Sequence, residues 1–539
     1  MKTFGLITIM LLSLLLTGCV SERTEKPNFV IIMVDDMGYA DIGCYGAVEI
    51  ESPQIDQIAE EGIMMRHFYN TAKCHSSRVS LLSGLWCNQA GNSSLKNALT
   101  FPQVLQQAGY NTGMTGKWHL AKNPLDWGFD KYFGHLSGST DYVGGDNTFR
   151  DGREIYNEFG NTTEEFYTTD AMTDYAIKYI KDWEGEDDKP FMLYIAYNAP
   201  HSPLQAPKEL IEKYRGRFMD GWEANQNKRF QRQKHLGVIG EDVVLPVWPE
   251  HRRKWDELSE LDKSWEDYRR AIYAAMVESL DMNIGRLKDE LVARGEWENT
   301  VFLFFSDNGS DGRDINRNPY GNPWEAKYHV QVGTEWAGVG NTPFRWYKQN
   351  SHEGGIASPM VFSWPKGLKT SDWNNFRGHI VDVYPTLLEL GGIEYPQEYN
   401  GHITIPLVGE SLAPVFMNKN HQRTKPIYLK YAENKGVIDG NMKLVSARKG
   451  PWELYDLDKD PTELNDLSAD LPETTEQLKE QFVKLLLENG YNEDKAIVND
   501  FIAPWGTRSY DNNNLKEGDP NPAETHPVWK QSPALSLEN

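Results

Sequence analysis

The segment Cys74-His75-Ser76-Ser77-Arg78 places a thiol four residues before a guanidinium, and Val79-Ser80-Leu81-Leu82-Ser83-Gly84 follows it. That continuation reads as a helix stopped by a C-cap glycine. Residues four apart share one helix face, so Cys74 and Arg78 would point the same way. A helix N-terminus offers free N–H groups and the positive end of a dipole to an anion. A nucleophile there, backed by arginine, suits a sulfate or a phosphate. Read from these residues alone, a thiolate at a helix start serves equally as a cysteine-phosphatase nucleophile or as a plain buried cysteine.

Four apolar runs end in polar residues that are unusual as a set. Residues 29–34 lead into Asp35-Asp36, and 110–115 into Gly116-Lys117-Trp118-His119. Residues 191–197 lead into Asn198-Ala-Pro-His201, and 301–305 into Ser306-Asp307-Asn308. Singly, each is ordinary: an Asp pair caps turns, Asp-Asn-Gly makes them, and a histidine beside proline is usually structural. In open α/β sheets, however, ligands bind beyond the carboxyl ends of the strands, which lie side by side. Two carboxylate clusters and an amide there supply hard oxygen ligands, suited to calcium or magnesium rather than zinc.

The elements that must position these residues alternate. Helices are predicted at 53–61, 102–108, 170–183 and 267–294, between continuous apolar runs typical of strands buried on both faces. The expectation is an α/β fold, a large mostly parallel sheet sandwiched by helices, over residues 28–395. From 396 to 495 shorter strand-like pieces, among them Ile427–Tyr431 and 442–445, precede an amphipathic helix near 473–488. This reads as a smaller C-terminal α+β subdomain. A tail rich in Asn, Pro and Gly occupies 496–539.

The first 18 residues carry Lys2, a short apolar run and Leu16-Thr17-Gly18-Cys19. This reads as a secretion signal ending in a motif that resembles the bacterial lipobox, with Cys19 the lipidated residue and 19–27 a tether. The expected location is therefore exported and lipid-anchored to the bacterial cell envelope. A formal charge of −23 argues against nucleic acid as a partner, and an anion site is expected to be a small local basic pocket. Of four cysteines, Cys44 and Cys87 remain, either paired or as free thiols.

Several of these motifs together resemble the type I sulfatases of the alkaline phosphatase superfamily, over residues 28–490. The resemblance rests on Asn28-Phe-Val-Ile-Ile-Met-Val-Asp-Asp-Met-Gly-Tyr, Cys74-x-x-Ser-Arg, Thr115-Gly-Lys-Trp-His-Leu and Ser306-Asp-Asn-Gly. Pro343-Phe-Arg-Trp-Tyr-Lys348, Glu353-Gly-Gly-Ile and Trp452-Glu-Leu-Tyr-Asp-Leu extend it, and the stretch at Trp255-Asp-Glu-Leu-Ser is similar to the bacterial arylsulfatase branch. The resemblance implies that a maturing enzyme oxidises Cys74 to formylglycine, whose hydrate attacks sulfur. It implies Asp35, Asp36, Asp307, Asn308 and residue 74 as ligands of a divalent metal, calcium or else magnesium. Arg78 and Lys117 would stabilise the nucleophile, His119 would act as base, and His201 and Lys348 would bind sulfate and protonate the leaving alcohol. His352, close to Lys348, is a further candidate for sulfate. One departure is Ser76, where the family usually has Pro or Ala.

The implied substrate is a sulfated carbohydrate. Tyr320, Trp324, Tyr328 and Trp336, within 309–342, either stack on sugar or pack on the body of the protein. Arg150 and Arg153 mark a second candidate rim. Rival readings are a formylglycine phosphodiesterase or phosphonate hydrolase, and a lipoprotein that binds sulfated glycans without cleaving them.

Overall fold

The computed structural model describes residues 26–491 apart from 185–188, 249–251, 369–371, 418–420 and 448–449. The signal, Cys19 and the tail from 496 lie outside the described residues.

Ten strands form the principal sheet: β1 Asn28–Val34, β2 Ile63–Tyr69, β3 Asn111–Gly116, β4 Lys131–His135, β5 Phe149–Asp151, β6 Glu154–Ile155, β7 Phe191–Ala196, β8 Thr300–Ser306, β9 Met360–Ser363 and β10 Asp372–His379. Their order is β10-β2-β9-β8-β1-β7-β3-β4-β5-β6. The central strands β8, β1, β7, β3 and β4 are mutually parallel, whereas β9 runs antiparallel to both its neighbours. The fold is thus the expected α/β class, with antiparallel strands added toward the edges.

The apolar runs are continuous because both faces of the sheet are covered. Val30, Ile32 and Val34 enter one core with helices α1 (Pro53–Glu60), α4 (Thr168–Trp183) and α5 (Glu260–Ala293). Phe29, Ile31 and Met33 enter the opposite core with α2 (Cys74–Ser83) and α3 (Phe101–Gln107). Helix α2 ends where Gly84 takes φ 63° and returns its N–H to Ser80 O, a conformation only glycine adopts freely.

A four-stranded antiparallel sheet, from Ile427–Tyr431, Asn434–Asp439, Met442–Ser446 and Glu453–Asp456, packs with the helix Pro472–Glu488. Its core includes Tyr69, Ala72, Trp86 and Ile356, so this unit leans on the chain just before Cys74. No described helix is long and apolar enough to cross a membrane.

Three described cysteines, Cys44, Cys74 and Cys87, are free thiols, so the Cys44–Cys87 pairing is not formed. In the 309–342 segment, Tyr328 and Trp336 are buried in the main core, and Trp336 meets Phe218, Trp222 and Trp255 edge-on. These two rings pack on the body and form no sugar wall. Trp324 is half-buried under the Lys208 ammonium, and Tyr320 is exposed. On the second rim, Arg153 pairs with Asp126 at 2.7 Å and Arg150 donates to Phe149 O.

Candidate active site

The four strand ends are laced together by the backbone itself. Val34 lies opposite Ser306, and Asp307 N donates to Val34 O at 3.0 Å, which sets Asp35 and Asp307 side by side. On the other flank Asp35 N donates to Ala199 O, and Lys117 N donates to Ala196 O. Asp36 (φ 67°) and His119 (φ 59°) both sit in the left-handed region, which turns their side chains out of the strand direction. The ring of His119 lies so close to Gly138 that a Cβ there would come 2.5 Å from Nε2.

Helix α2 starts at Cys74 beside these ends. Arg78 Nη2 donates to Asp307 Oδ2 at 3.0 Å, Nη1 to Lys117 O at 2.7 Å, and Nε is buried with no acceptor. Ser77 anchors the helix from beneath, donating to Asp307 O at 2.6 Å and accepting from Thr71 N. Ser76 bonds Thr71 Oγ1 and Lys73 O, so the departure from Pro or Ala is accommodated by local hydrogen bonds.

Lys117 Nζ pairs with Asp35, and Lys348 Nζ pairs with Asp36, all four side chains being fully buried. His201 Nε2 lies 3.5 Å from Asp36 Oδ2. Asn308 Nδ2 donates to Asp36 Oδ1 at 2.7 Å. The structure therefore brings Asp35, Asp36, Cys74, Arg78, Lys117, His201, Asp307, Asn308 and Lys348 to one locus, with His119 at its margin, 6.0 Å ring to ring from His75.

Burial would raise the Asp35 carboxyl, but Lys117, then His201 and Arg78, hold it well below the usual carboxylate range. Burial and the adjacent Asp35 charge push Asp307 the other way, up to about 7. Burial lowers His201 to about 4, and burial followed by Lys117 and Arg78 lowers His119 still further, so both rings are neutral near neutral pH. Burial opposes the charge on Lys348, yet Asp36 keeps its ammonium well above the usual lysine range.

The donor set fits a hard divalent cation. Asp35 Oδ1, Asp36 Oδ2 and Asn308 Oδ1 are all buried and accept no hydrogen bond, which is costly for oxygen acceptors unless a cation meets them. Ligand atoms of Asp35, Asp36 and His201 lie within 4.8 Å of one another.

His352 stands apart. Its Nδ1 lies 2.7 Å from Asn350 Oδ1 and its Nε2 lies 2.9 Å from Glu453, so neither ring nitrogen is left for sulfate. Left-handed Trp346, before Lys348, and Gln349, after it, turn the chain so that Lys348 points inward and His352 reaches the C-terminal sheet. That sheet clamps the Lys348 segment. Asn434 Nδ2 donates to Gln349 O, Gln349 N donates to Ala72 O, and buried Lys443 pairs with Glu353 and Glu463.

Sequence reasoning missed three contributors. Ser77 and Ser306 carry anchoring bonds, the latter from Met37 N and to Asn308 O, yet serine in a helix or at a strand end gives no distinctive signal. Asp311 is buried; burial works against its charge, but Arg313 and then Lys348 hold it well below the usual carboxylate range.

Comparison with known proteins identifies the family. The Sulfatase family model matches residues 27–393, and the model for the N-sulphoglucosamine sulphohydrolase C-terminal region matches 343–489. An arylsulfatase of Klebsiella aerogenes is 29% identical over 75% of this chain and 95% of its own. An N-acetylglucosamine-6-O-sulfatase of Bacteroides thetaiotaomicron is 28% identical over 83% of this chain and 84% of its own. A solved structure described as bound to its substrate D-glucosamine-2-N,6-O-disulfate superposes with TM-score 0.60 at 24% identity, covering 88% of this chain and 100% of that one. With a fold, a strand-end site and a family match that run through the same residues, the chain belongs to the sulfatase family and is a sulfuric ester hydrolase.

Proposed function

We propose that the chain hydrolyses sulfate esters on a sulfated carbohydrate, using formylglycine made from Cys74 and one divalent cation, calcium in preference to magnesium. The observation that carries this reading is the convergence of three acceptor oxygens without donors on the helix start that bears Cys74 and Arg78. Asp35, Asp36, Asp307 and Asn308 would hold the cation together with residue 74. Bound there, it supplies Lewis-acid charge to the nucleophile and to the sulfate oxygens. Formylglycine, as its hydrate, supplies one hydroxyl to attack sulfur and a second to expel sulfate.

The remaining work falls to side chains of this chain. A sulfate ester is a weakly electrophilic anion, so cations must face its non-bridging oxygens. Arg78 and Lys117 come from one side and Lys348 from the other. Neutral His119 can accept a proton at residue 74, and neutral His201 can bind the ester oxygen. Lys348, held protonated by Asp36, can donate to the departing alkoxide, which a sugar hydroxyl requires.

The sugar assignment draws support from the N-acetylglucosamine-6-O-sulfatase relative. Cys19 in its lipobox-like setting supports a mature protein exported and lipid-anchored to the bacterial envelope. The test is the mass of the tryptic peptide containing residue 74, from a host able to oxidise such cysteines, followed by turnover of sulfated sugars against phosphate esters. Formylglycine makes that peptide about 18 Da lighter. Intact cysteine would overturn the nucleophile, and a preference for phosphate or phosphonate esters would overturn the reaction class.

A further inference from the structure

A second cavity, of about 550 Å³, is lined in part by residues 344–347, just before Lys348. Its lining includes Trp248, Arg252, Gly338, Phe344, Trp346 and Tyr347, and none of the residues around Cys74. The volume falls within the range of small-molecule sites, which are mostly apolar with a few placed polar groups. Here the apolar part joins aromatic rings to the aliphatic run 244–247 and Leu464, and the polar part is Gln226, Arg252 and Arg345.

Arg252 is unusual in its surroundings. Its guanidinium carbon sits 5.0 Å from the Trp248 ring centroid and 5.7 Å from that of Tyr347. It forms no ion pair among the described residues; its Nη1 reaches Thr334 O at a long 3.4 Å, and its buried Nε has no acceptor. The neighbouring Glu335 is taken by Arg253 at 2.9 Å. A cation removed from water without a carboxylate is costly, and ring faces offset part of that cost. Two further donors at this cavity's lining, Arg345 Nε and Trp346 Nε1, are also buried without acceptors. Among its described lining residues the wall carries no carboxylate, while it offers flat apolar surface and buried donors without acceptors.

We infer that this cavity is a second ligand site, separate from the Cys74 site, for an anion with a flat apolar body such as an aryl carboxylate. Its negative group lies on Arg252 and its ring lies against Trp248 and Trp346. Charge complementarity selects the anion, and the aromatic walls select the planar body.

The test is calorimetric titration of the purified full chain with 2-naphthoate. Saturable one-to-one binding is expected. The uncharged analogue 2-naphthylmethanol should bind at least about tenfold more weakly, and R252Q should weaken naphthoate by at least about tenfold, as loss of a charged hydrogen bond does. Absence of binding, unchanged affinity in R252Q, or equal binding of the alcohol would overturn the inference. Should R252Q fail to fold, Gly338→Ala replaces it, because the added Cβ would stand 2.6 Å from Arg252 Nη1. A folded G338A that binds naphthoate as tightly as the parent overturns the inference equally.

Discussion

Replacing Asp41 by asparagine tests how the turn after the Asp35-Asp36 pair is held. The Asp41 carboxylate is fully buried and accepts from Arg229 Nη1 at 2.7 Å, Tyr273 Oη at 2.7 Å, Gly38 N at 3.1 Å and Arg270. The turn is closed on its other side by glycine, since a Cβ on Gly38 would lie 2.4 Å from Gly340 O. Asparagine keeps the shape but loses the charge, and its amide N–H₂ would face a guanidinium. Arg270 would then have no carboxylate, and Arg229 would keep Glu49 at 3.1 Å. Removing one partner of a buried ion pair costs about 3–5 kcal/mol. Urea unfolding should show that loss as a lower midpoint with an unchanged slope. A loss below about 1 kcal/mol would refute the idea that carboxylate charge holds this turn. The pH dependence gives a second check. Burial alone would raise the Asp41 carboxyl, but Arg270 and then Arg229 hold it down at about 2, against an ordinary 3.8. A value depressed in the folded state means stability that is complete above 3.8 and is lost as pH falls through 2. That contribution is about 2 kcal/mol, and the variant should show no such loss over that interval.

Two other perturbations probe the site directly. Ser77→Ala leaves the buried Asp307 carbonyl without its donor, which should cost about 1–3 kcal/mol and lower kcat/KM through displacement of Asp307; full activity would show that the anchor is dispensable. Chelation by EGTA should lower the thermal unfolding midpoint and calcium should restore it, since a ligand bound to the folded state stabilises by mass action. Asp36→Asn should abolish that response, and superimposable curves for the untreated and chelated parent would count against the cation site.

How much was legible depends on where each signal came from. The central strands announced themselves because both faces are buried, so β1, β7 and β8 are unbroken apolar runs whose polar ends stood out. The edge strand β10, Asp372–His379, did not, because its first half is partly exposed and mostly polar and its place is set by pairing with β2. β9 has four residues and runs antiparallel, so no crossover helix marks it. Tyr328 and Trp336 sit among polar residues with no clear period, and only the long-range packing of Trp336 onto Trp222 and Trp255 decides their role. His352 misled for a related reason. Nearness to Lys348 in sequence suggested a shared site, but its fate is fixed by Glu453, 101 residues on.

The cations of the site are paired with carboxylates beforehand. Arg78, Lys117 and Lys348 are present, yet Asp307, Asp35 and Asp36 respectively hold them. Much of the positive charge that these three cations carry is therefore offset by carboxylates before an anion arrives. A divalent cation on the unpartnered oxygens of Asp35, Asp36 and Asn308 would add two positive charges to the cluster, and at the low effective dielectric of a buried site that charge acts strongly on sulfate. Ion pairs of this kind keep the arginine and lysines ordered and charged beforehand, so little reorganisation is needed when the ester arrives. The acidic surface and the anionic substrate are then compatible, because attraction is generated locally by the ion and not by the net charge of the chain.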